Sequence, residues 1–377
     1  METRYKHLVV FVQSNPVSPD PRVEKEVRML TTHGFEVIIL AWDREKASKN
    51  FESSGNKTIY RFGLRAPYVQ LIIVAYYPFF WLWVLLKLLR IRPQIVHACD
   101  IDCIFPALFY KLLKGKTKVI FDVFDSYALL IRPMSNTLAS MVWCLELFAA
   151  SVSDAFITVS RQQLALFEAA QPKRVEIVMN SPSPISRSTF LNQGTKHTKF
   201  RIVHAGQILE DRGLLQLCEA TKDIDDLELV IAGRVRERAE REAMRRIKKF
   251  SHVHYVGRLD YDGSLQLEAS ADLIPLLYHP KVAISHVAMP NKLFEAMMLG
   301  VPIITNLDHV VRDVECGIVV NYYDINDIRK VILHLKDHPQ FRSQLGLNGK
   351  RTFDLKFSWS HMERRLLKLY DQLMSVA

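Results

Sequence analysis

Cysteine is scarce in this sequence, and its spacing matches no metal or redox motif. The five cysteines among 377 residues form no C-x-x-C pair and no Cys/His cluster at zinc spacing. Their odd number and scattered positions favour a reducing compartment. Because no cysteines or histidines have zinc spacing, no structural metal is expected. The cysteines are Cys99, Cys103, Cys144, Cys218 and Cys316.

Long uncharged runs are also nearly absent, which excludes a polytopic membrane protein. The composition is 49% hydrophobic and 24% charged, with 14 glycines and 16 prolines, and it excludes disordered, collagen-like and disulfide-stapled chains. At roughly 100 to 200 residues per domain, the length predicts two or three domains. Residues 8–12 are apolar and no cleavage site follows them, so they predict a first strand and not a secretion signal.

One apolar stretch, residues 69–89, is the exception. Residues 71–86 carry no charge, and six of the eight residues 76–83 are aromatic. A helix of that length reaches about 24 Å, short of the roughly 30 Å hydrocarbon core, and Pro78 interrupts it. Basic residues on both sides fit a segment lying in the plane of an anionic membrane surface; burial against the sheet and a true span are the alternatives. These basic residues are Arg61, Arg65, Lys87, Arg90 and Arg92.

The net charge of +10 is unevenly distributed. Residues 234–249 hold eight basic and three acidic side chains, so this stretch alone contributes +5. Nucleic-acid surfaces interleave such charge with stacking aromatics, which are missing here. The pattern favours a solvated helix face drawn to acidic membranes, and no nucleic-acid partner is expected.

Short apolar runs alternate with amphipathic stretches, which predicts two doubly wound α/β domains. Asp20 before Pro21 predicts a helix start. Turn and linker residues at 180–198 predict the boundary, giving a first domain at 1–185 and a second at 199–357. Residues 358–377 predict a last amphipathic helix, whose apolar side chains at helical spacing are Met362, Leu366, Leu367, Tyr370 and Leu373.

In sheets of this kind, ligands collect beyond the carboxyl ends of the strands. The first strand of the second domain ends at Gly206, which permits close backbone approach, and Arg212 follows as a possible phosphate ligand. Pro290 marks a helix start whose free amides would attract an anion. Lys292 adds a positive charge, and Glu295 offers a carboxylate for two sugar hydroxyls. The alternative is an exposed glutamate beside a solvated lysine.

These motifs, in this order and spacing, resemble the retaining GT-B glycosyltransferases of family 4, also called group 1 glycosyltransferases. The most specific match is the Pro-x-Lys-x-x-Glu run from Pro290 to Glu295 with Gly-x-Pro at 300–302. Further matches cover most of the chain: Gly206-x5-Arg212-Gly213, residues 229–233, Pro21-Arg22-Val23 with Glu26, and residues 95–100. The resemblance implies a GT-B fold, with two Rossmann-like domains facing each other across a cleft and a carboxyl-terminal helix crossing back to the first.

The resemblance also implies a nucleotide-sugar donor, a UDP- or GDP-sugar, held by the second domain. Glu295 would hold the ribose, while Arg212, Lys292 and the amides near Asn291 would hold the diphosphate. These three charged residues are the catalytic candidates, and the remaining donor candidates are Gly206, Gln207, Gly233, Met289, Pro290 and Leu293. Val287 stands where many members have an earlier glutamate, which indicates a subgroup without that carboxylate.

The acceptor would be held by the first domain, through Pro21, Arg22, His97, Asp100 and Asp125. Phe124 stands where the family often has a histidine. Asp100-Ile-Asp102 looks like a metal-binding Asp-x-Asp, but turn or capping roles are favoured. No metal and no cofactor are expected.

A nucleoside diphosphate is a good leaving group, so cations and helix amides suffice where a glycosidase needs a carboxylic acid. With what the resemblance implies, above all transfer with retention, we expect a metal-independent, hexosyltransferase-like enzyme. It would be peripheral on the cytoplasmic face of a membrane and would add a sugar to a lipid-linked or glycan acceptor. Two alternatives are an epimerase or phosphorylase acting on the nucleotide sugar, and a non-catalytic nucleotide-sugar or glycan-binding protein at the membrane.

Overall fold

The computed structural model describes residues 7–17, 20–67, 71–190, 198–235, 238–287 and 289–375. The chain divides into two compact units. The first holds the residues up to Asn180 together with the chain from Met362 onward, and the second holds Ser181–His361. Each unit alternates helices with largely parallel strands, which confirms the predicted doubly wound α/β class.

The first unit contains an eight-stranded sheet. Its strands are β1 Leu8–Gln13, β2 Glu36–Trp42, β3 Phe51–Ser54, β4 Lys57–Phe62, β5 Ile95–Cys99, β6 Lys118–Val123, β7 Ala155–Thr158 and β8 Val175–Ile177. Its helices are α1 Pro21–Thr32, α2 Tyr77–Ile91, α3 Ile101–Lys114, α4 Tyr127–Ile131, α5 Asn136–Val152 and α6 Arg161–Leu166. The strand order is β3-β4-β2-β1-β5-β6-β7-β8, and only β3 pairs antiparallel, with β4.

Helix α1 begins where the sequence predicts. The Asp20 side chain accepts a hydrogen bond from the Val23 amide, and Pro21 occupies the first turn. Strand β3 was not predicted from the sequence, because all four of its residues are exposed at the sheet edge and show no apolar alternation. The edge strand therefore depends on pairing with β4 and not on burial of its own side chains.

The predicted apolar segment forms a short 3-10 turn, Leu71–Ala75, followed by α2; residues 69 and 70 lie outside the described residues. Pro78 stands in the first turn of α2 and not in its middle, so it starts the helix instead of breaking it. One side of α2, with Phe80, Val84 and Leu88, is buried against the first unit's core. In the described part of the chain, no helix is both long and apolar enough to cross a bilayer.

The aromatic residues of α2 also fasten it to the start of α3. The Tyr77 hydroxyl donates to Asp102 Oδ2 at 3.1 Å, and the Trp81 indole donates to the Asp102 carbonyl at 2.6 Å. The orientation of α2 is therefore fixed both by packing and by two directional hydrogen bonds.

The described residues of the second unit form six strands. They are β9 Phe200–Ala205, β10 Leu227–Ala232, β11 Val253–Gly257, β12 Ile274–Leu276, β13 Ile303–Thr305 and β14 Gly317–Val319. Helices lie between or after them: α7 Leu214–Thr221, α8 Arg238–Ile247, α9 Tyr261–Ala269, α10 Asn291–Leu299, α11 Asp308–Val311, α12 Ile325–Asp337 and α13 Pro339–Thr352. The last helix, α14 Trp359–Met374, lies mostly in the first unit, which holds the chain from Met362 onward. The basic stretch forms α8, which buries Ala243, Met244 and Ile247 and exposes its arginines; residues 236 and 237 lie outside the described range.

The second unit's strands form two parallel three-stranded sheets, β11-β10-β9 and β12-β13-β14. A single parallel bridge between Ile202 and Leu273 joins them. The combined order β11-β10-β9-β12-β13-β14 is the doubly wound Rossmann order, which reverses direction between β9 and β12. The first unit reverses in the same way between β1 and β5. Ligand sites are therefore expected beyond the carboxyl ends of these strand pairs.

The last helix, α14, carries the predicted apolar stripe with one change. Met362, Leu366, Tyr370 and Leu373 are buried as predicted, whereas Leu369 is buried where Leu367 was predicted. The Tyr370 hydroxyl lies 2.7 Å from His97 Nδ1 in β5, so this helix reaches the switch point of the first unit's sheet.

Candidate functional site

The turn after β9 holds the first group of candidate residues in the second unit. The Gly206 amide donates to the Ala232 carbonyl at 2.9 Å. A Cβ on Gly233, which follows β10, would lie 2.1 Å from the Gly206 carbonyl oxygen. Glycine at position 233 therefore lets the turn after β10 lie close to the turn after β9, at the carboxyl ends of these strands.

Arg212 is held in place at the switch point. Its guanidinium lies 4.5 Å from the ring centroid of Tyr278, which follows β12, and it donates to Gln207 Oε1 at 3.1 Å. The side chain remains 25% exposed. Gln207 therefore orients Arg212. The stacked, partly exposed guanidinium suits a bidentate contact with an anion.

Helix α10 begins at Asn291, with Pro290 in extended conformation at its N-cap. Among the described residues, no side chain caps this helix. Its leading amides and the positive end of its dipole therefore remain suited to an anion. Asn291 is exposed and Met289 is half-buried, but the Leu293 side chain is buried in the core, so only its backbone could serve a ligand.

Lys292 lies between two carboxylates. Its Nζ is 2.8 Å from Glu295 Oε2 and 2.7 Å from Glu268 Oε1. Burial disfavours the ammonium, but Glu268 and Glu295 outweigh it and raise the pKa of Lys292. Lys292 is therefore charged but already paired, unlike the isolated point charge that the sequence predicts. Glu295 is 4% exposed, so it is not the exposed helix residue of the alternative interpretation.

Several residues of this site were missed by the sequence analysis, among them His204 and Glu268. His204 lies at the end of β9, where burial and the nearby cations Lys292 and Arg212 lower its pKa to about 4. It is neutral near pH 7 and donates from Nε2 to the Gln207 carbonyl at 3.1 Å. Glu268, in α9, has no motif around it. His204 is placed in this site by its position at the end of β9, and Glu268 by its contact with Lys292 of α10.

The first unit's candidates His97 and Arg22 lie in a buried charged cluster. Arg22 donates to both carboxylate oxygens of Asp122, at 2.8 and 2.9 Å, and lies 3.2 Å from Glu26. His97 Nε2 lies 3.2 Å from Asp122 Oδ2. Although burial opposes it, Arg22 together with His97 holds the pKa of Asp122 below its usual value. Phe124, at the position of the family's histidine, stacks on the Arg22 guanidinium at 4.5 Å.

The ligand atoms of Glu26, His97 and Asp122 lie within 4.8 Å of one another, which is close enough to suggest a metal. Arg22, however, is ion-paired with both carboxylates and already supplies the positive charge between them. These contacts give the cluster a structural role at the centre of the sheet.

The other acceptor candidates of the first unit lie nearer the surface. Asp100 follows β5 in a left-handed conformation, with φ of 63°, and its Oδ1 accepts from the Phe124 amide at 2.8 Å. Such backbone strain in a residue other than glycine is common at functional sites. Pro21 and Asp125 are exposed. The acceptor roles of all five candidates remain predictions.

Known sequences that are similar to this chain are glycosyltransferases. Residues 199–338 match the family model of group 1 glycosyl transferases. An uncharacterized glycosyltransferase of Methanocaldococcus jannaschii is 25% identical over 302 residues, which cover 77% of this chain and 80% of the relative.

Solved structures match the whole chain at low identity. Sucrose-phosphate synthase of Thermosynechococcus elongatus has a TM-score of 0.81 at 15% identity, covering 99% of this chain and 100% of the other. HepE of Anabaena, solved with UDP, has a TM-score of 0.73 at 10% identity, covering 97% and 100%. The chain has the GT-B fold, and its residues 199–338 match the family of group 1 glycosyl transferases.

Proposed function

We propose that this chain is a glycosyltransferase that moves a sugar from a UDP- or GDP-sugar to a lipid-linked acceptor at a membrane, with retention of the anomeric configuration. The donor half rests on one arrangement in the second unit. Arg212, Lys292 and the amino end of α10 supply positive charge beside a carboxylate, Glu295. HepE of Anabaena, which has a similar fold and was solved with UDP, supports a nucleoside diphosphate as the ligand.

In this proposal, the reaction depends on stabilising the leaving diphosphate. As the bond between the anomeric carbon and the phosphate oxygen lengthens, negative charge grows on the diphosphate and positive charge on the sugar. Arg212, fixed by Tyr278, and the α10 amides stabilise the first charge without a metal ion or a general acid. Glu295 orients the ribose through its hydroxyls. Retention is proposed from the family resemblance, and the anomeric coupling in the product's NMR spectrum tests it.

The acceptor half rests on an apolar face formed by three neighbouring helices of the first unit. Helix α2 packs against α3, and α3 packs against α5. Each exposes large apolar side chains: Phe79, Leu82 and Leu86 on α2, Phe109, Leu112 and Leu113 on α3, and Met141, Leu145 and Phe148 on α5. Patches of this extent mark interaction surfaces.

The charges around this apolar face favour an anionic bilayer over a protein partner. The only acidic side chains on the three helices, Asp102 and Glu146, are buried. The basic side chains lie toward the carboxyl-terminal ends of α2 and α3, at Lys87, Arg90, Lys111 and Lys114. Basic residues rimming an apolar surface suit anionic headgroups above acyl chains.

A panel of labelled nucleotide sugars, incubated with the protein and a membrane lipid extract, tests the proposed function. We expect one labelled sugar to enter the lipid phase. If every sugar moves only to water or to protein, the proposal of a lipid acceptor is wrong. If the donor binds but no sugar is transferred or hydrolysed, the proposal that the protein is an enzyme is wrong.

Replacing Glu295 or Arg212 by alanine is expected to lower transfer at least about tenfold, a loss of roughly 1.4 kcal/mol of transition-state stabilisation. Glu295→Ala removes the ribose contact, and Arg212→Ala removes a diphosphate ligand. Steady-state rates with the donor found in the panel measure both. Wild-type rates in both variants would overturn the assignment of this site.

Replacing Leu82 or Leu145 by glutamate is expected to reduce sedimentation with vesicles containing about 30% anionic lipid. Each change places a charge in the apolar face, on α2 or on α5. Leu347→Glu is the matched control, because Leu347 is at least as exposed as Leu82 and Leu145 but lies on α13 in the second unit. Equal binding by Leu145→Glu and wild type would remove α5 from the membrane contact.

A further inference from the structure

We propose that Glu268 is a positioning residue of the donor site, which takes up a proton when a nucleoside diphosphate binds and so releases the Lys292 ammonium to the phosphates. This inference rests on the proposed donor site. It assigns a role to a residue that no sequence motif marks and that lies outside the residues predicted for the donor.

The geometry places Glu268 beneath the charged residues of α10. Its side chain is fully buried in α9, and Oε1 lies 2.7 Å from Lys292 Nζ. The other oxygen, Oε2, has no hydrogen-bond partner within the described residues. Since Lys292 also lies 2.8 Å from Glu295, one ammonium is shared by two carboxylates. A buried carboxylate with an unsatisfied oxygen is costly while ionised and is stabilised by taking a proton.

The groups around Glu268 determine which way it titrates. Burial is the largest influence, Lys292 opposes it, and Glu295 reinforces it, so that the pKa of Glu268 rises to about 8. Tyr261, in the same helix, and His204, in the adjoining strand β9, also belong to this site. Burial and the two carboxylates raise the pKa of Tyr261 above its usual range, and His204 is neutral. Glu268 is therefore the group expected to change charge between pH 7 and 9.

An arriving diphosphate should shift this balance further. With Glu268 ionised, the triad of Glu268, Glu295 and Lys292 has a net charge of −1, which repels the phosphates. With Glu268 protonated, the triad is neutral, and Lys292 can turn its ammonium toward the anion. Binding therefore favours the protonated form. At and above about pH 8, where a large fraction of Glu268 is ionised in the free protein, a proton is taken from solvent when the diphosphate enters and is returned when it leaves. By linkage, affinity is greatest below the free pKa and falls as pH rises above about 8, by up to tenfold per pH unit.

Isothermal titration calorimetry with UDP, and separately with GDP, tests this on the folded, full-length protein between pH 7.5 and 9.5. The proton uptake is read from the binding heat in two buffers of different ionisation enthalpy. We expect wild type to take up a proton above pH 8 and to lose affinity there. Glu268→Gln, which mimics the protonated carboxyl, should bind with no proton uptake and with little dependence on pH. Glu228→Gln is the matched control, since Glu228 pairs with Arg201 in β9 and should keep the wild-type behaviour.

The results distinguish a wrong role for Glu268 from a wrong donor site. If wild type binds UDP or GDP with pH-independent affinity and no proton uptake, the role of Glu268 is wrong while the donor site stands. If it binds neither diphosphate at any pH, the proposed donor site itself fails. Should Glu268→Gln not fold, as judged by circular dichroism, the wild-type pH profile and proton count still decide the matter. A Glu268→Gln protein that keeps the wild-type proton uptake would also overturn the proposal.

Discussion

Replacing Lys292 by methionine is expected to lower sugar transfer at least about a hundredfold, the usual range for loss of one group that stabilises transition-state charge. The change removes a cation from the diphosphate site. It also leaves Glu268 and Glu295 facing each other without the ammonium that separates them. Methionine keeps a similar length and an apolar stem, so the effect on rate reports mainly the lost charge. Rates with the donor identified from the panel measure it.

Lys330→Met provides the control, because Lys330 is an exposed lysine of α12 in the same unit. It should retain the wild-type rate. A Lys292→Met enzyme that stays folded and works at the wild-type rate would show that the diphosphate depends on Arg212 and the α10 amides alone. A matching loss of UDP binding would distinguish a failure to hold donor from a slower chemical step.

Local signals in the sequence predicted the features that depend on neighbours along the chain. Asp20 followed by Pro21 predicted the start of α1, and Pro290 predicted the start of α10. The amides of a first helical turn have no partner within the helix. Aspartate accepts a hydrogen bond from one of them, and proline has no amide hydrogen to leave unpaired. The doubly wound α/β class of each unit also follows from the alternation of strands and helices, whereas the order of the strands was not predicted.

Features that depend on contacts between distant segments could not be predicted. Glu268 and Lys292 lie 24 positions apart, and nothing in the sequence pairs them. His204 and Tyr278 join the site only because β9 and β12 lie side by side at the switch point. A single sequence gives residue types and spacing, but it does not say which turns meet at the ends of a sheet.

The burial of a side chain also depends on distant segments, so a single sequence does not predict it. Pro78 was expected to interrupt an apolar helix, yet it begins α2, because the residues before it form a separate 3-10 turn. Arg22 and His97 belong to a motif shared with the family, which predicts an acceptor role. Both are buried and fully engaged with other side chains. Whether such a residue also contacts substrate depends on its partners, which here include the Val178 carbonyl, 156 positions from Arg22, and Tyr370, 273 positions from His97.

These partners make Arg22 a test of how the first unit is stabilised. Its guanidinium bonds to both oxygens of Asp122, to Glu26 and to the Val178 carbonyl, which links α1 to β6 and to the chain after β8. Removing one member of a buried ion pair leaves the other charge without compensation. Here two carboxylates would be affected, and Glu26 already has a pKa raised to about 7, chiefly by burial.

Arg22→Ala is therefore expected to lower the free energy of unfolding of the first unit by about 3 to 5 kcal/mol. Urea denaturation followed by circular dichroism measures the loss. Arg28→Ala is the control, since Arg28 is an exposed arginine of the same helix and should change stability by less than about 0.5 kcal/mol. Equal stability of both variants would mean that Asp122 and Glu26 find other partners or become protonated at little cost. If Arg22→Ala instead stays stable but loses transfer, the acceptor role that the sequence predicts for Arg22 would gain its first direct support.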